Sequence, residues 1–201
     1  IWDATWENLQ DIDVGSFFSP EFSDQRVPKL QEVLELCRGK AGVVIELKYY
    51  GHQVRLEERV AEIVDRLGMA SDIKVMSLDF DGLERMRALR PEWKMGYLTS
   101  VVMGDLTRMD VDFLAVNSGM ASRRFVRASQ NAGKSVFTWT VNDVLGMSAM
   151  MDLGVDGIIT DDPRLAREVL AHRAEMNPVE RLLAGLAVYF GGVKETSEDN
   201  A

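Results

Sequence analysis

From Val43 onward the chain repeats one grammar six times, a short apolar run followed by an amphipathic stretch. The runs are "VVIEL" (43–47), "IKVMSL" (73–78), "KMGYLT" (94–99), "DFLAVN" (112–117), "SVFTWTV" (135–141) and "DGIITD" (156–161). Their apolar residues are mostly continuous rather than alternating, as in parallel strands covered on both faces. Between the runs, Leu56, Val60, Ile63, Val64 and Leu67 share one helical face, and Gly68 stands where a C-terminal cap belongs. Asp81 is expected to cap a helix carrying Leu83, Met86 and Leu89, which Pro91 ends. Ser122 caps one with Phe125 and Val126, ending at Gly133, and Asp143 opens one with Val144, Met147, Met150 and Met151, closed by Gly154. Those methionines read as core packing.

Repeated units of this kind make either a parallel β/α barrel or an open doubly wound sheet. The open sheet would be favoured by a glycine-rich phosphate loop, and the sequence has neither G-x-G-x-x-G nor a Walker loop. A closed barrel needs eight strands and about 250 residues, whereas six runs lie in 201 residues. Residues 1–40 read as loop and then a helix opened by Pro28, so they do not supply the missing pair. The expected fold is therefore α/β: a (β/α)8 TIM-type barrel, incomplete, with its first two strands missing. A chain that opens on Ile1 rather than Met is expected to be a processed product or a piece of a longer protein. The barrel is expected over 1–176. A C-terminal helix and a disordered tail are expected over 177–201, with Leu182, Leu183, Leu186, Val188, Tyr189 and Phe190 docking on the domain.

Composition limits the partners. The chain is 46% hydrophobic, enough for one core, and its net charge of -9 repels nucleic acid and anionic lipid. Arg123, Arg124 and Arg127 form the densest basic group, at the spacing of a wet helix face. Cys37, the single cysteine, reads as a buried structural thiol beside Leu30, Val33 and Leu34. No apolar run approaches the ~18 residues of a membrane span.

In parallel barrels the working side chains project from the C-terminal ends of strands. That rule selects Glu46, Lys48, Ser77, Asp79, Thr99, Asn117, Trp139, Asn142, Asp161 and Asp162. Glu46 and Lys48 are two residues apart and share a face. They form either a polar plug or a hard oxygen ligand beside a point charge for phosphoryl oxygens, and periodicity does not choose between these. Trp139 is either a core aromatic or a cleft wall, and Asp161 with Asp162 either join the site or simply cap the helix that follows at Pro163.

"VVIELK", then "VMSLD", "VFTWTVN" and "GVDGIITDDP", in that order, resemble the glycerophosphodiester phosphodiesterase family of (β/α)8 barrels, and "RVPKLQEVL" resembles its Pro-x-Leu helix start. "ELKYYG" is similar to the bacterial subgroup that carries a membrane region ahead of the catalytic domain. The resemblance implies metal-assisted cleavage of glycerophosphodiesters to glycerol 3-phosphate and an alcohol. It makes Glu46 a ligand of a divalent cation, Ca2+ or Mg2+, Lys48 a phosphate contact and Trp139 a wall of the substrate cleft.

The family's His-Arg-Gly strand, Glu-x-Asp strand and His-Asp pair have no counterpart here. The two histidines, His52 and His172, lie outside those motifs, His52 reading as a solvent-facing loop residue. One Glu is a poor site for a hard cation, so the cation is expected to be weakly bound or absent, and the 201 residues alone are expected to be inactive. No catalytic residue is assigned.

Two alternatives stand beside this reading: a non-catalytic interaction or scaffold module that completes its barrel by homo-oligomerisation, and a different phosphate-binding enzyme using a Schiff-base lysine. The second has only Lys48 to offer, and Glu46 would keep it protonated. Attachment of a parent protein to a membrane would run through a missing N-terminal region. Localisation is left open.

Overall fold

The computed structural model describes residues 4–50, 54–101, 104–177 and 179–180. His52 and the apolar segment 182–190 lie outside the described residues. Residue packing divides the chain into two compact units, Ile1–Met95 and Gly96–Ala201.

The first unit holds α1 (Trp6–Leu9), α2 (Leu30–Cys37), β1 (Val43–Glu46), α3 (Leu56–Leu67), β2 (Ile73–Ser77) and α4 (Phe80–Leu89), and the first two residues of β3 (Lys94–Thr99) close it. β1 pairs parallel with β2, setting Glu46 opposite Met76. α2 starts at Leu30 with Lys29 as its N-cap, so Pro28 precedes the helix rather than opening it. The Lys29 N–H donates to Glu32 at 2.8 Å, which satisfies one of the donors a helix start leaves free. Cys37 is half-buried rather than buried, and Leu34 is the α2 residue that is fully enclosed. α3 runs over the expected residues and ends on Gly68, whose φ of 65° is the left-handed conformation that glycine adopts without strain. Its buried face is Glu57, Val60, Ala61 and Val64, so a carboxylate occupies one of the inward positions.

α4 begins two residues earlier than the Asp81 expectation, with Asp79 as N-cap. The reason lies in β2. Ser77 Oγ accepts the Asp79 N–H at 3.0 Å and turns the chain there, leaving Asp81 in the first helical turn, where a negative charge suits the helix dipole.

The loop ahead of α2 is organised by Asp13, which accepts from the N–H groups of Gly15 and Ser16 at 2.9 Å each and from the Ser16 hydroxyl. The Ser16 hydroxyl, then the Ser16 and Gly15 amides, bring the Asp13 carboxyl from an ordinary 3.8 down to about 2. A depressed folded-state value gives stabilisation that is complete above the ordinary value and disappears as pH falls through about 2. The Asp13 carboxyl resonance is expected to titrate with a midpoint near 2, and Ser16→Ala to raise that midpoint. An unchanged midpoint in the variant would remove the hydroxyl as the cause.

The second unit continues with β3, β4 (Phe113–Asn117), α5 (Arg123–Asn131), β5 (Ser135–Trp139), α6 (Val144–Leu153), β6 (Gly157–Ile158) and α7 (Pro163–Glu175). β3 pairs parallel with β4, β4 with β5 and β5 with β6. The caps match the expected grammar: Ser122 accepts from Phe125 N–H at 3.2 Å, Asp143 from Gly146 N–H at 2.8 Å, and Asp162 from Leu165 N–H at 2.9 Å, with Pro163 in the first turn. Arg123, Arg124 and Arg127 are exposed, as a solvated face requires. Met147 and Met150 are buried with Val141 and Val169, so the α6 methionines are core.

Thr138, fully buried on β5, has a hydroxyl that finds no hydrogen-bond partner among the described residues. Valine keeps its shape without that polar group, so Thr138→Val is expected to be neutral or to stabilise by about 1 kcal/mol in urea unfolding. A loss of stability would mean that the hydroxyl is bonded.

Candidate functional site

The end of β1 carries the site. Beyond Glu46 the main chain stays fastened to β2: Leu47 N–H donates to Met76 O at 2.8 Å, and the Ser77 hydroxyl donates to Leu47 O at 2.7 Å. Ser77 is fully buried and its oxygen also accepts from the Asp79 N–H, so this strand-end serine pins two chain ends at the wall of the cleft. Glu46 and Lys48 come out of the strand side by side, Lys48 Nζ standing 3.6 Å from Glu46 Oε2. Their side chains are 25% and 55% exposed, so the pair is open to solvent and its mutual attraction is weak. They line a cleft of about 270 Å³ together with Tyr50, Leu78 and Asp79.

Behind the cleft lies a polar cluster that the sequence did not disclose. Glu57 of α3 is 6% exposed, and its Oε1 accepts from Arg85 Nε at 2.5 Å and from the Tyr49 hydroxyl at 2.9 Å. Arg85, on α4, also reaches Asp79 Oδ2 at 3.5 Å, so one guanidinium joins the buried carboxylate to the cleft rim. Burial pushes the Glu57 carboxyl up, but its backbone hydrogen bond and the bonds from Arg85 and Tyr49 outweigh that and hold it below the usual range. Burial, then the bond to Glu57, raises the Tyr49 phenol. The signal for Glu57 was present, since it falls one helical turn before Val60 and Ala61 on their own face.

The remaining candidates belong to the second unit and mostly fix loops. Thr99 donates to Val101 O at 2.8 Å, and Asn117 accepts from Gly119 N–H at 2.9 Å. Asn142 donates to Asp161 Oδ2 at 2.6 Å and accepts from Thr160 Oγ1 at 3.0 Å and Asp161 N–H at 2.9 Å. Asp162 is the helix cap, while Asp161 is engaged by Asn142. Trp139 closes β5, half-buried, with its indole N–H donating to Ala115 O at 3.2 Å. His172 is on α7 in a groove with Val144, Ser148, Leu165 and Arg173, away from any strand end.

A hard divalent cation takes about six to eight oxygens, several of them anionic. The cleft offers the Glu46 carboxylate and an Asp79 carboxylate already shared with Arg85. No group of three or more His, Cys, Asp or Glu gathers among the described residues. These residues fit one corner of a cation site and do not make a whole one.

Parallel strand–helix units with ionisable side chains at the strand ends define an incomplete TIM-type barrel, a class of fold whose chemistry sits at those ends. The sequence profile of the glycerophosphoryl diester phosphodiesterase family matches residues 1–165, and the chain belongs to that family. The Bacillus subtilis protein YhdW is 31% identical over 170 residues, covering 81% of this chain and 70% of that protein. The glycerophosphodiester phosphodiesterase of Caldanaerobacter subterraneus is 29% identical over 173 residues, covering 81% and 70%. Two solved structures share the fold. A glycerophosphodiester phosphodiesterase from Parabacteroides distasonis has a TM-score of 0.74 at 21% identity, over 86% of this chain and 73% of that one. An Oleispira antarctica phosphodiesterase in complex with the product sn-glycerol-3-phosphate has a TM-score of 0.74 at 24% identity, over 85% and 72%. No described helix is long and apolar enough to cross a membrane.

Proposed function

We propose that the end of β1 is the phosphodiester-binding part of a site that hydrolyses glycerophosphodiesters to glycerol 3-phosphate and an alcohol. The observation that carries this reading is the Glu46–Lys48 pair, open and side by side over the cleft. Lys48 is a mobile cation that answers the charge on a phosphoryl oxygen. Glu46 is the one cleft carboxylate not committed to an arginine, and it serves as a single ligand of a divalent cation whose other ligands are not gathered among the described residues. Trp139, at the end of β5, is read as a substrate-facing aromatic on the strength of the family resemblance alone. The family reaction and the product held by the Oleispira antarctica relative both support a glycerol phosphate substrate.

Cleaving the diester needs a proton taken from the attacking hydroxyl and one given to the departing alcohol. The sequence has His52 and His172 alone for this chemistry, and neither lies in a family histidine motif. The 201 residues therefore bind and do not turn over. The test is a chimera in which a family member's His-Arg-Gly and Glu-x-Asp strands precede Ile1. Metal-dependent release of glycerol 3-phosphate is expected, falling at least ~100-fold in Glu46→Gln. Equal rates and equal metal dependence in the two proteins would remove Glu46 as a ligand.

A further inference from the structure

We infer that Tyr49 is a positioning residue that aims Lys48 into the cleft, an inference that rests on the reading of Lys48 as the phosphate contact. Lys48 stands between two fixed neighbours. On one side, Leu47 is bonded to β2 through both its N–H and its carbonyl. On the other, Tyr49 is clamped from three directions. Its hydroxyl donates to the buried Glu57 carboxylate at 2.9 Å, and the Arg85 guanidinium lies 5.2 Å from its ring centroid. Its ring also rests against the α4 backbone at Gly82, where a Cβ would fall 2.4 to 2.5 Å from the ring edge and hydroxyl.

Each part of the clamp has a physical reason. A carboxylate as enclosed as Glu57 requires partners, and it takes two on the same oxygen, Arg85 and Tyr49. Gly82 stands in the first turn of α4, where glycine is a weaker helix former than alanine, and its lack of a Cβ is what admits the ring. The Tyr49 ring cannot shift without leaving a buried charge short of a donor, and the peptide that follows Lys48 is thereby fixed. The lysine stem remains flexible while its base does not move. That arrangement lowers the ordering cost of meeting a phosphate.

The test is a titration of the full 201-residue chain with glycerol 3-phosphate, followed by NMR, for wild type, Lys48→Met, Tyr49→Phe, Gly82→Ala and the two double variants carrying Lys48→Met. Tyr49→Phe keeps the ring and loses its bond to Glu57. Gly82→Ala raises helix propensity while displacing the ring, so its effect on the site opposes its effect on the helix. Each is expected to weaken binding roughly 3- to 10-fold and to add nothing further when Lys48 is already methionine. Wild-type affinity in both single variants, or equal losses with and without Lys48, would overturn the positioning role while leaving Lys48 in place. Wild-type affinity in Lys48→Met would instead overturn the reading of Lys48 itself, and the inference with it.

Discussion

Phe113→Ala is expected to lower the unfolding free energy by about 3–5 kcal/mol, a large share of the ~5–15 kcal/mol that holds a typical domain folded. Phe113 is 2% exposed on β4, and its ring centroid is 4.9 Å from that of Phe137 on β5. Glycines on the neighbouring strands make room for the two rings. A Cβ at Gly96 of β3 would lie 2.0 to 2.4 Å from Phe113 ring atoms, and one at Gly157 of β6 would lie 2.8 Å from Phe137. Truncating Phe113 therefore removes the transfer energy of a whole ring and leaves a void that two strands cannot close. Overfilling the same place with Gly96→Ala is expected to cost about 1–3 kcal/mol. Urea unfolding checks both, with the midpoint moving and the slope unchanged. A loss below ~1 kcal/mol for Phe113→Ala would mean that the ring row does not hold these strands.

The second large effect concerns turnover. With glycerophosphocholine as substrate and Ca2+ or Mg2+ supplied, the 201-residue chain is expected to release glycerol 3-phosphate no faster than a protein-free control. General acid and base groups contribute about 10²- to 10⁴-fold each, and among the described residues no histidine stands at a strand end to provide them. His172 is in the groove beside Ser148 and Arg173 on the α6–α7 face, so His172→Ala is expected to leave this blank rate where it is. Metal-dependent release by the unmodified chain would show that another group serves as acid and base.

The six strands were legible because a parallel strand covered on both faces is written as an uninterrupted apolar run, and all but β3 were followed by a helix with Ser, Asp or Gly at one of its caps, β3 leading only to a short 3-10 turn at Leu106–Arg108. β6 is confined to Gly157–Ile158: Ile159 still bonds to Thr138 O and the Val141 N–H, and beyond it Asn142 ties Thr160 and Asp161 into a polar turn. The α4 cap was misplaced by two residues because Ser77 acts on Asp79 from the preceding strand, a tertiary bond that no local capping rule sees. Glu46 and Lys48 were legible from their spacing of two and from family resemblance. The Tyr49–Glu57–Arg85 cluster was not, since it joins a loop and two helices and its carboxylate lies on a face that patterning fills with apolar residues.

The central claim, a phosphate contact at the end of β1, is tested most directly at the Lys48 side chain itself. With lysines labelled and the Lys48 signal assigned through Lys48→Arg, addition of glycerol 3-phosphate is expected to move the Lys48 Nζ and Cε resonances saturably, and glycerol alone to leave them in place. A Lys48 signal that stays fixed while resonances elsewhere follow the ligand would contradict the account.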